Sequence, residues 1–512
     1  MAVHTFAAID VGSFELELGI YDISSKYGIR AVDHVRHVIA LGKDTYHDGK
    51  ISYELVDEMC NVLAKFTEIM KGYKVEDYRA CATSAMREAR NNQIVLDQIR
   101  VRTGIDVTII SNSEQRFISY KAIATRETEF NRIIQKGAAT VDVGFGSMQV
   151  SLFDKDTLVS TQNLPLGVLR IQSMMAQMRT SPNTRYSMIE EMVDNELYTF
   201  KKMYLKDRDI KHLIGLGEPI LYLFRAAGTV KPDNRISAQT FNAFYEKLLK
   251  MPEDQIEDHF GVNAEYASIL LPGAIIYKRV LEMTGAEMFW VPGIRLCDGI
   301  AADYAEEKKL IRLNHDFTED ILVTARNMAK RYKCHTAHVQ AMERYVLQIF
   351  DCIKRFHGMG SRERLLLQIS AILHACGKFI SMKSTSECAY NIIMATEIIG
   401  LSHLEREIVA NVVRYNIQEF DYNQVKLEGT ADKDVTILIA KLTAILRLAN
   451  SLDRSHKQKL DDNKMSVKGE NLIVTTACEE DISLEKMAFD RKVDFFEEIF
   501  GIRPILKQKR RV

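Results

Sequence analysis

Short apolar runs alternate with polar turns through the first three-fifths of the chain. Phe6-Ala7-Ala8-Ile9 leads into Asp10-Val11-Gly12-Ser13, and Ala138-Ala139-Thr140-Val141 leads into Asp142-Val143-Gly144-Phe145-Gly146-Ser147. Each Asp-x-Gly turn is followed by an alternating stretch, Leu16-Glu17-Leu18-Gly19-Ile20 and Val150-Ser151-Leu152-Phe153. The pattern predicts strand, tight turn, strand, twice over. An amphipathic helix follows at 52–71, then a strand at 78–83, a helix from Ser84 and a strand at 107–110. Residues 1–130 are therefore expected to form one α/β lobe. A second α/β lobe, 131–310, repeats the opening, runs through a helix-rich stretch at 168–205 and reaches a third glycine turn, His212-Leu213-Ile214-Gly215-Leu216-Gly217. From 311 to 512 strand signals fade, and helical spacing dominates at 336–356, 364–379 and 435–453. A small α+β end is expected there, with a strand at 471–476 and an amphipathic helix at 483–500.

The turns carry candidate chemistry. Glycine lets a backbone turn sharply and approach a ligand, so that amides can point at phosphate oxygens while an Asp holds a hydrated metal ion. Two such hairpins facing each other would grip one phosphorylated substrate. Glu114, in Ile109-Ile110-Ser111-Asn112-Ser113-Glu114-Gln115-Arg116, begins a helix. It reads either as a favourable N-terminal charge or as a general base facing a bound phosphate. Thr83 and Ser84 with Arg87 read either as a helix cap or as an anion site.

Bulk properties narrow the field. The chain has 512 residues, 46% of them hydrophobic and 27% charged, with a formal net charge of -1. It is too long for a single core, and it has no overall field to gather nucleic acid or an anionic membrane. The basic ending Lys507-Gln508-Lys509-Arg510-Arg511 reads as a solvated tail. No run approaches the ~20 apolar residues of a membrane span, and no export signal opens the chain, so a cytoplasmic location is expected. Eight cysteines without a CxxC pair read as reduced, buried thiols. His335, His338, His357, His374 and His403 invite a metal reading, but no carboxylate follows His374, and hydrogen-bonded core histidines are the expectation.

In order and spacing, AAIDVGS, LGKDTYHDGKIS, ATSAMREARN, IISNSEQ, TVDVGFGS, LPLGVLR, LPGAIIY and LCDGI resemble the exopolyphosphatase and guanosine pentaphosphate phosphohydrolase family. The resemblance implies the two-lobed fold shared with actin, sugar kinases and the heat-shock chaperone ATPase domain, followed by a degenerate HD-type helical domain. It makes Glu114 the base that activates water and Asp142 a catalytic or magnesium-holding carboxylate. Gly12, Ser13, Gly144, Gly146 and Ser147 would bind phosphate, joined by Arg87 on the anion-site reading above, and Asp10, Asp142 and Gln149 would face Mg²⁺ or Mn²⁺. The implied reaction is attack of water on a terminal phosphoryl group of polyphosphate or of a phosphorylated guanine nucleotide. A homodimer is implied by the same resemblance, and no nucleic-acid or membrane partner.

The departures from the family pattern cluster at the loops. In the second loop Phe145 replaces a glycine, Met148 a threonine and Gln149 a glutamate. Phe14-Glu15 stands for Asn-Ser in the first, and Glu218-Pro219 for Gly-Thr in the third. Glu15 would repel a polyanion unless a cation intervenes. Ala375 and Asn450 each replace an Asp, which argues against a second metallophosphohydrolase site. Beside the hydrolase reading stands a second: a member that has lost catalysis and reports a phosphorylated ligand through lobe closure. A kinase of the same fold is a third.

Overall fold

The structure, a computed structural model, describes residues 3–125, 127–135, 137–154, 157–177, 182–206, 208–227, 234–312, 315, 317–425, 427 and 433–509. Two compact units divide the chain, Met1–Asp316 and Phe317–Val512.

The first unit holds two sheets built on one plan. In the first, β1 (His4–Val11), β2 (Glu15–Ser24) and β3 (Gly28–Val38) form an antiparallel meander, and β4 (Asp77–Ala82) and β5 (Val107–Ile109) add in parallel beyond β1, giving the order β3-β2-β1-β4-β5. In the second, β6 (Ala138–Val143), β7 (Met148–Asp154) and β8 (Thr157–Leu164) repeat the meander. There β9 (His212–Leu216) and β11 (Met288–Trp290) add in parallel, with the short β10 (Arg235–Ser237) on the outer edge. Sheet order β8-β7-β6-β9-β11 thus matches β3-β2-β1-β4-β5, and the repeated turn seen in the sequence is the opening of a repeated sheet.

Period-two alternation assigns each side chain of β1 to a face. Ala7, Ile9 and Val11 pack with Leu16, Leu18, Met59, Leu63 and Phe66 under the helix Tyr53–Gly72. Phe6 and Ala8 pack on the other face with Cys297, Ile300 and Tyr304. The helix Leu296–Glu307, which the sequence places in the 131–310 lobe, therefore lies on the first sheet. Asp10 shares the face of Phe6 and Ala8, and its cross-strand partner Glu17 shares it too. Glu15, two residues earlier on β2, follows the same alternation.

In the second unit helices run Phe317–Arg331, Thr336–Cys352, Ser361–Leu373, Thr385–Ala395, His403–Tyr415 and Lys433–Ser451. The helix expected over 364–379 stops at Leu373 and tightens to a 3-10 turn, Cys376–Phe379. Gly377 in that turn is required by the close approach of helix Thr385–Ala395, since a Cβ there would lie 1.9 Å from Thr385 O. A three-stranded sheet, β12 (Lys464–Lys468), β13 (Asn471–Thr476) and β14 (Arg503–Gln508), closes the unit, with helix Ser483–Phe500 linking the parallel pair β13 and β14. Lys507 and Gln508, expected in a tail, belong to β14, while Arg510 and Arg511 lie outside the described residues. Proline at 504 is tolerated because β14 is an edge strand.

All eight cysteines are free; Cys60, Cys81, Cys297 and Cys376 are buried, whereas Cys334, Cys352, Cys388 and Cys478 are only partly so. Among the described residues no helix is long and apolar enough to cross a membrane.

Candidate active site

The two Asp turns are superimposable in their hydrogen bonding. Gly12 N–H donates to Glu15 O at 3.0 Å and Gly144 N–H to Ser147 O at 2.9 Å. Both glycines are required by closeness: a Cβ would lie 2.8 Å from Glu15 O at Gly12 and 3.2 Å from Ser147 O at Gly144. Register extends the match, since Asp10 pairs with Glu17 and Asp142 with Gln149. By this internal equivalence Glu15 corresponds to Ser147 and Glu17 to Gln149.

The turns meet at one cleft of about 860 Å³, solvent at its mouth included. Asp10, Gly12, Ser13, Asp142, Gly144, Gly146, Ser147 and Gln149 all line it, so eight of the ten residues singled out by sequence converge there. The third loop arrives through Gly217, whose φ of 83° suits glycine and whose Cβ would lie 2.6 Å from Asp142 Oδ1. Behind it, Tyr277 of the LPGAIIY segment donates its hydroxyl to Leu216 O at 2.8 Å and fixes the end of β9.

Close packing joins the first turn to the second. Ser13 Oγ lies 2.8 Å from Ser84 Oγ and 3.0 Å from Tyr46 OH, which is itself 2.9 Å from Ser84 Oγ. Gly146 approaches this triangle so nearly that a Cβ would lie 2.6 Å from Ser84 Oγ. Arg170 steadies the loop, donating to Gly146 O at 2.8 Å while both carboxylate oxygens of Glu88 hold it at 2.7 Å. Phe14 and Phe145, both departures from the family pattern, stack on each other with centroids 4.7 Å apart. Read separately in the sequence they are two losses; in space they are one aromatic clasp between the two glycine turns.

The other two predicted residues are engaged elsewhere. Arg87 does not line the cleft: its guanidinium donates to Ile110 O at 2.5 Å and to Asn112 Oδ1, bracing the strand that precedes helix Asn112–Ala124. Glu114 closes a capping box, accepting from Ser111 N–H at 2.8 Å and donating its own N–H to Ser111 Oγ at 3.2 Å. From that helix Gln115 and Ser119 line the cleft instead. Their inward orientation is a matter of helical phase that the sequence alone does not fix.

Carboxylates dominate the electrostatics. Burial pushes the Asp142 carboxyl up to about 6, against the opposing pull of Arg116. Burial, followed by the charges on Glu17 and Glu15, raises Asp10 well above the ordinary carboxylate range. Glu218 is raised by burial and by Glu17, and Glu17 is held down by hydrogen bonds from Glu218 and His34, which outweigh its own burial. Glu17 and Glu218 thus shift in opposite directions because the two carboxyls face each other. Asp10 Oδ1, Glu15 Oε2 and Gln149 Oε1 are buried with no hydrogen-bond partner.

Of the five histidines singled out in the second unit, His338, His357 and His374 are buried and hydrogen-bonded as expected, whereas His335 is an exposed helix cap that accepts from His338 N–H and His403 is only partly buried. His338 Nδ1 lies 2.7 Å from Asp453 Oδ2. His374 Nδ1 bonds to Ala371 O at 2.7 Å, which leaves its Nε2 to accept from His338 Nε2 at 3.1 Å. Burial, then the nearby His338, holds His374 down at about 3. Asn450, in place of an Asp, donates to Asn416 Oδ1 at 3.4 Å.

Comparison with known proteins agrees with the duplicated fold. A guanosine-5'-triphosphate,3'-diphosphate pyrophosphatase from Photobacterium profundum is 20% identical over 414 residues, 80% of each chain. Exopolyphosphatase 1 from Mycobacterium tuberculosis is 24% identical over 289 residues, 54% of this chain and 82% of its own. Among solved structures, a Ppx/GppA protein of Aquifex aeolicus matches with TM-score 0.51 and 21% identity over 62% of this chain and all of its own. An exopolyphosphatase from Cytophaga hutchinsonii matches with TM-score 0.52 and 19% identity over 61% and 100%. These likenesses fix the actin-like fold of the first unit. The sequence pattern of the Ppx/GppA phosphatase family covers residues 20–305 and that of its domain III covers 322–488. With duplicated Asp-x-Gly turns in one unit and that helical domain in the other, the chain belongs to the Ppx/GppA phosphatase family.

Proposed function

We propose that this protein is a phosphohydrolase that binds the terminal phosphates of inorganic polyphosphate or guanosine pentaphosphate in the cleft and releases the outermost one to water. The observation that carries the reading is the convergence of two equivalent glycine turns, with Ser13, Ser84 and Ser147, on one cavity. Gly12 and Gly144 spend their own amides inside the turns, so the amides of Ser13, Phe145 and Gly146 are those left for phosphate oxygens. Glu114 is the base: on release from Ser111 its carboxylate takes a proton from water in line with the anhydride.

The residues present suit a hard divalent cation. Asp10 Oδ1 and Gln149 Oε1 are buried oxygens lacking a hydrogen-bond partner, Asp142 lies beside Gln149 across the ladder, and such ions take carboxylate and carbonyl oxygen. Asp10, Asp142 and Gln149 would hold it, and when bound it would neutralise charge on the phosphoryl oxygens. The reading is tested by phosphate release with Mg²⁺ or Mn²⁺, offering long-chain polyphosphate and guanosine pentaphosphate in parallel. Release from either supports it and names the substrate; release from neither contradicts it.

A second reading, binding without turnover, is favoured by one specific observation. The side chains presented where base and metal ligand are expected, Gln115 and Gln149, are amides that can neither take a proton nor supply charge. Gln149→Glu separates the two. Large activity gained over a silent parent supports the second reading, and an active parent that the change leaves no better supports the first.

A further inference from the structure

We infer that Glu15, Glu17 and Glu218 form a divalent-cation site of their own, beside the phosphate loops of the first unit. One carboxylate oxygen from each lies within 4.8 Å of those of the other two. Such spacing fits oxygens sharing a cation with ligand distances of about 2.0 to 2.6 Å.

The manner in which these carboxylates are held argues against a chance acidic cluster. Each Glu of β2 has one oxygen anchored by an outer donor, and Glu15 has its other oxygen free. Glu15 Oε1 accepts from Tyr222 OH at 2.9 Å and from Tyr266 OH, while Oε2 is buried with no hydrogen-bond partner, and Glu15 as a whole is only 2% exposed. Glu17 Oε2 accepts from His34 Nε2 at 3.2 Å, and Glu17 also faces the carboxyl of Glu218, whose hydrogen bond helps to hold it down. Outer donors that orient a carboxylate while leaving a lone pair exposed are the arrangement found around metal ligands. A carboxylate oxygen buried without a partner would otherwise carry the full cost of its lost hydration.

The positive groups nearby leave Glu15 Oε2 without a hydrogen bond. Arg295 Nε makes an ion pair with Glu17 Oε1 at 3.9 Å, beyond a hydrogen bond, and Arg36 Nη1 donates to Tyr222 OH at 2.8 Å. His34 already serves Glu17 Oε2.

The internal repeat supplies an independent argument. Glu17 stands opposite Asp10 as Gln149 stands opposite Asp142, so the carboxylate missing beside the second turn is present beside the first. Glu218, from the third loop, approaches this first-turn pair. Two residues that look like losses when each loop is read alone, Glu15 and Glu218, are thereby ligands of one ion. That ion would also offset the repulsion these carboxylates exert on a polyphosphate.

The site is assigned independently of hydrolysis, and its test uses no phosphate compound. The metal-stripped full chain carrying Asp142→Asn, which disables the position beside Gln149, is titrated with Mn²⁺ and free ion is followed by electron paramagnetic resonance. One Mn²⁺ should still bind. Adding Glu15→Gln and Glu218→Gln should weaken that binding at least tenfold, and Glu218→Gln alone should do so in part. The amides keep side-chain shape and relieve like-charge repulsion, so circular dichroism and unfolding without metal should show a chain at least as stable as its parent. Absence of Mn²⁺ binding in the Asp142→Asn chain, or binding unchanged by the two glutamine substitutions, would overturn the assignment.

Discussion

Asp142→Asn should stabilise the first unit in the absence of divalent cations, by an amount that depends on pH. The Asp142 carboxyl titrates at about 6 in the folded chain against an ordinary value of 3.8, chiefly through burial. A folded value raised above the unfolded one means that the folded state holds its proton more tightly, so stability falls as pH rises from about 4 to 6. Roughly two units at 1.36 kcal/mol each give a penalty of up to about 3 kcal/mol at pH 8 and about half of that at pH 5. Asparagine is the neutral isostere and removes the titration while preserving shape. The single tryptophan, Trp290, lies buried in β11 of the second sheet, so its fluorescence reports unfolding of the unit that contains Asp142. Urea unfolding of wild type and Asp142→Asn in EDTA, followed through Trp290, should show the variant ahead at pH 8 and the gap narrowing by about half at pH 5. Equal stabilities at pH 8, or a gap that widens on acidification, would refute the reasoning.

Three further outcomes are expected. Glu114→Ala, which opens the capping box, should lower unfolding free energy by about 1 kcal/mol, whereas Glu114→Gln keeps a side chain that can close the box and should stay within about 0.5 kcal/mol of wild type on the Trp290 signal. A double-mutant cycle of Phe14→Leu and Phe145→Leu should return a coupling of about 0.5 to 1.5 kcal/mol for the stacked pair, and zero coupling would mean the clasp is no more than proximity. Asp453→Ala should destabilise the second unit by about 3 kcal/mol, because the buried His338 loses the carboxylate that its Nδ1 bonds, and hydrogen exchange along helix Lys433–Ser451 would register it.

The sequence discloses what local signals can encode. The repeated turn announces the duplicated sheet because Asp-x-Gly, an apolar run before it and alternation after it are all nearest-neighbour features. Helices such as Tyr53–Gly72 and Ser483–Phe500 lie within a residue or two of where periodicity puts them. What escapes depends on contacts distant in sequence or on side-chain direction. Helix Leu296–Glu307 closes over β1, nearly three hundred residues earlier, and nothing in its composition distinguishes the first sheet from the second. Arg87 has the right position for an anion site, yet Ile110 O and Asn112 supply nearer partners for its guanidinium. Glu15 and Glu218 are each legible as departures, but their meeting with Glu17 appears only when β2 and the third loop fold together. β14 is hidden by Pro504 and its basic end, since only pairing with β13 distinguishes it from a tail.

The most direct measurement is phosphate release from polyphosphate and from guanosine pentaphosphate by wild type and Glu114→Gln, each with Mg²⁺ or Mn²⁺, alongside ligand-induced stabilisation read through Trp290. The account predicts release by wild type that vanishes in Glu114→Gln while stabilisation by the same compound persists. Undiminished release by Glu114→Gln would contradict the assigned base, and stabilisation without release by wild type would contradict hydrolysis itself.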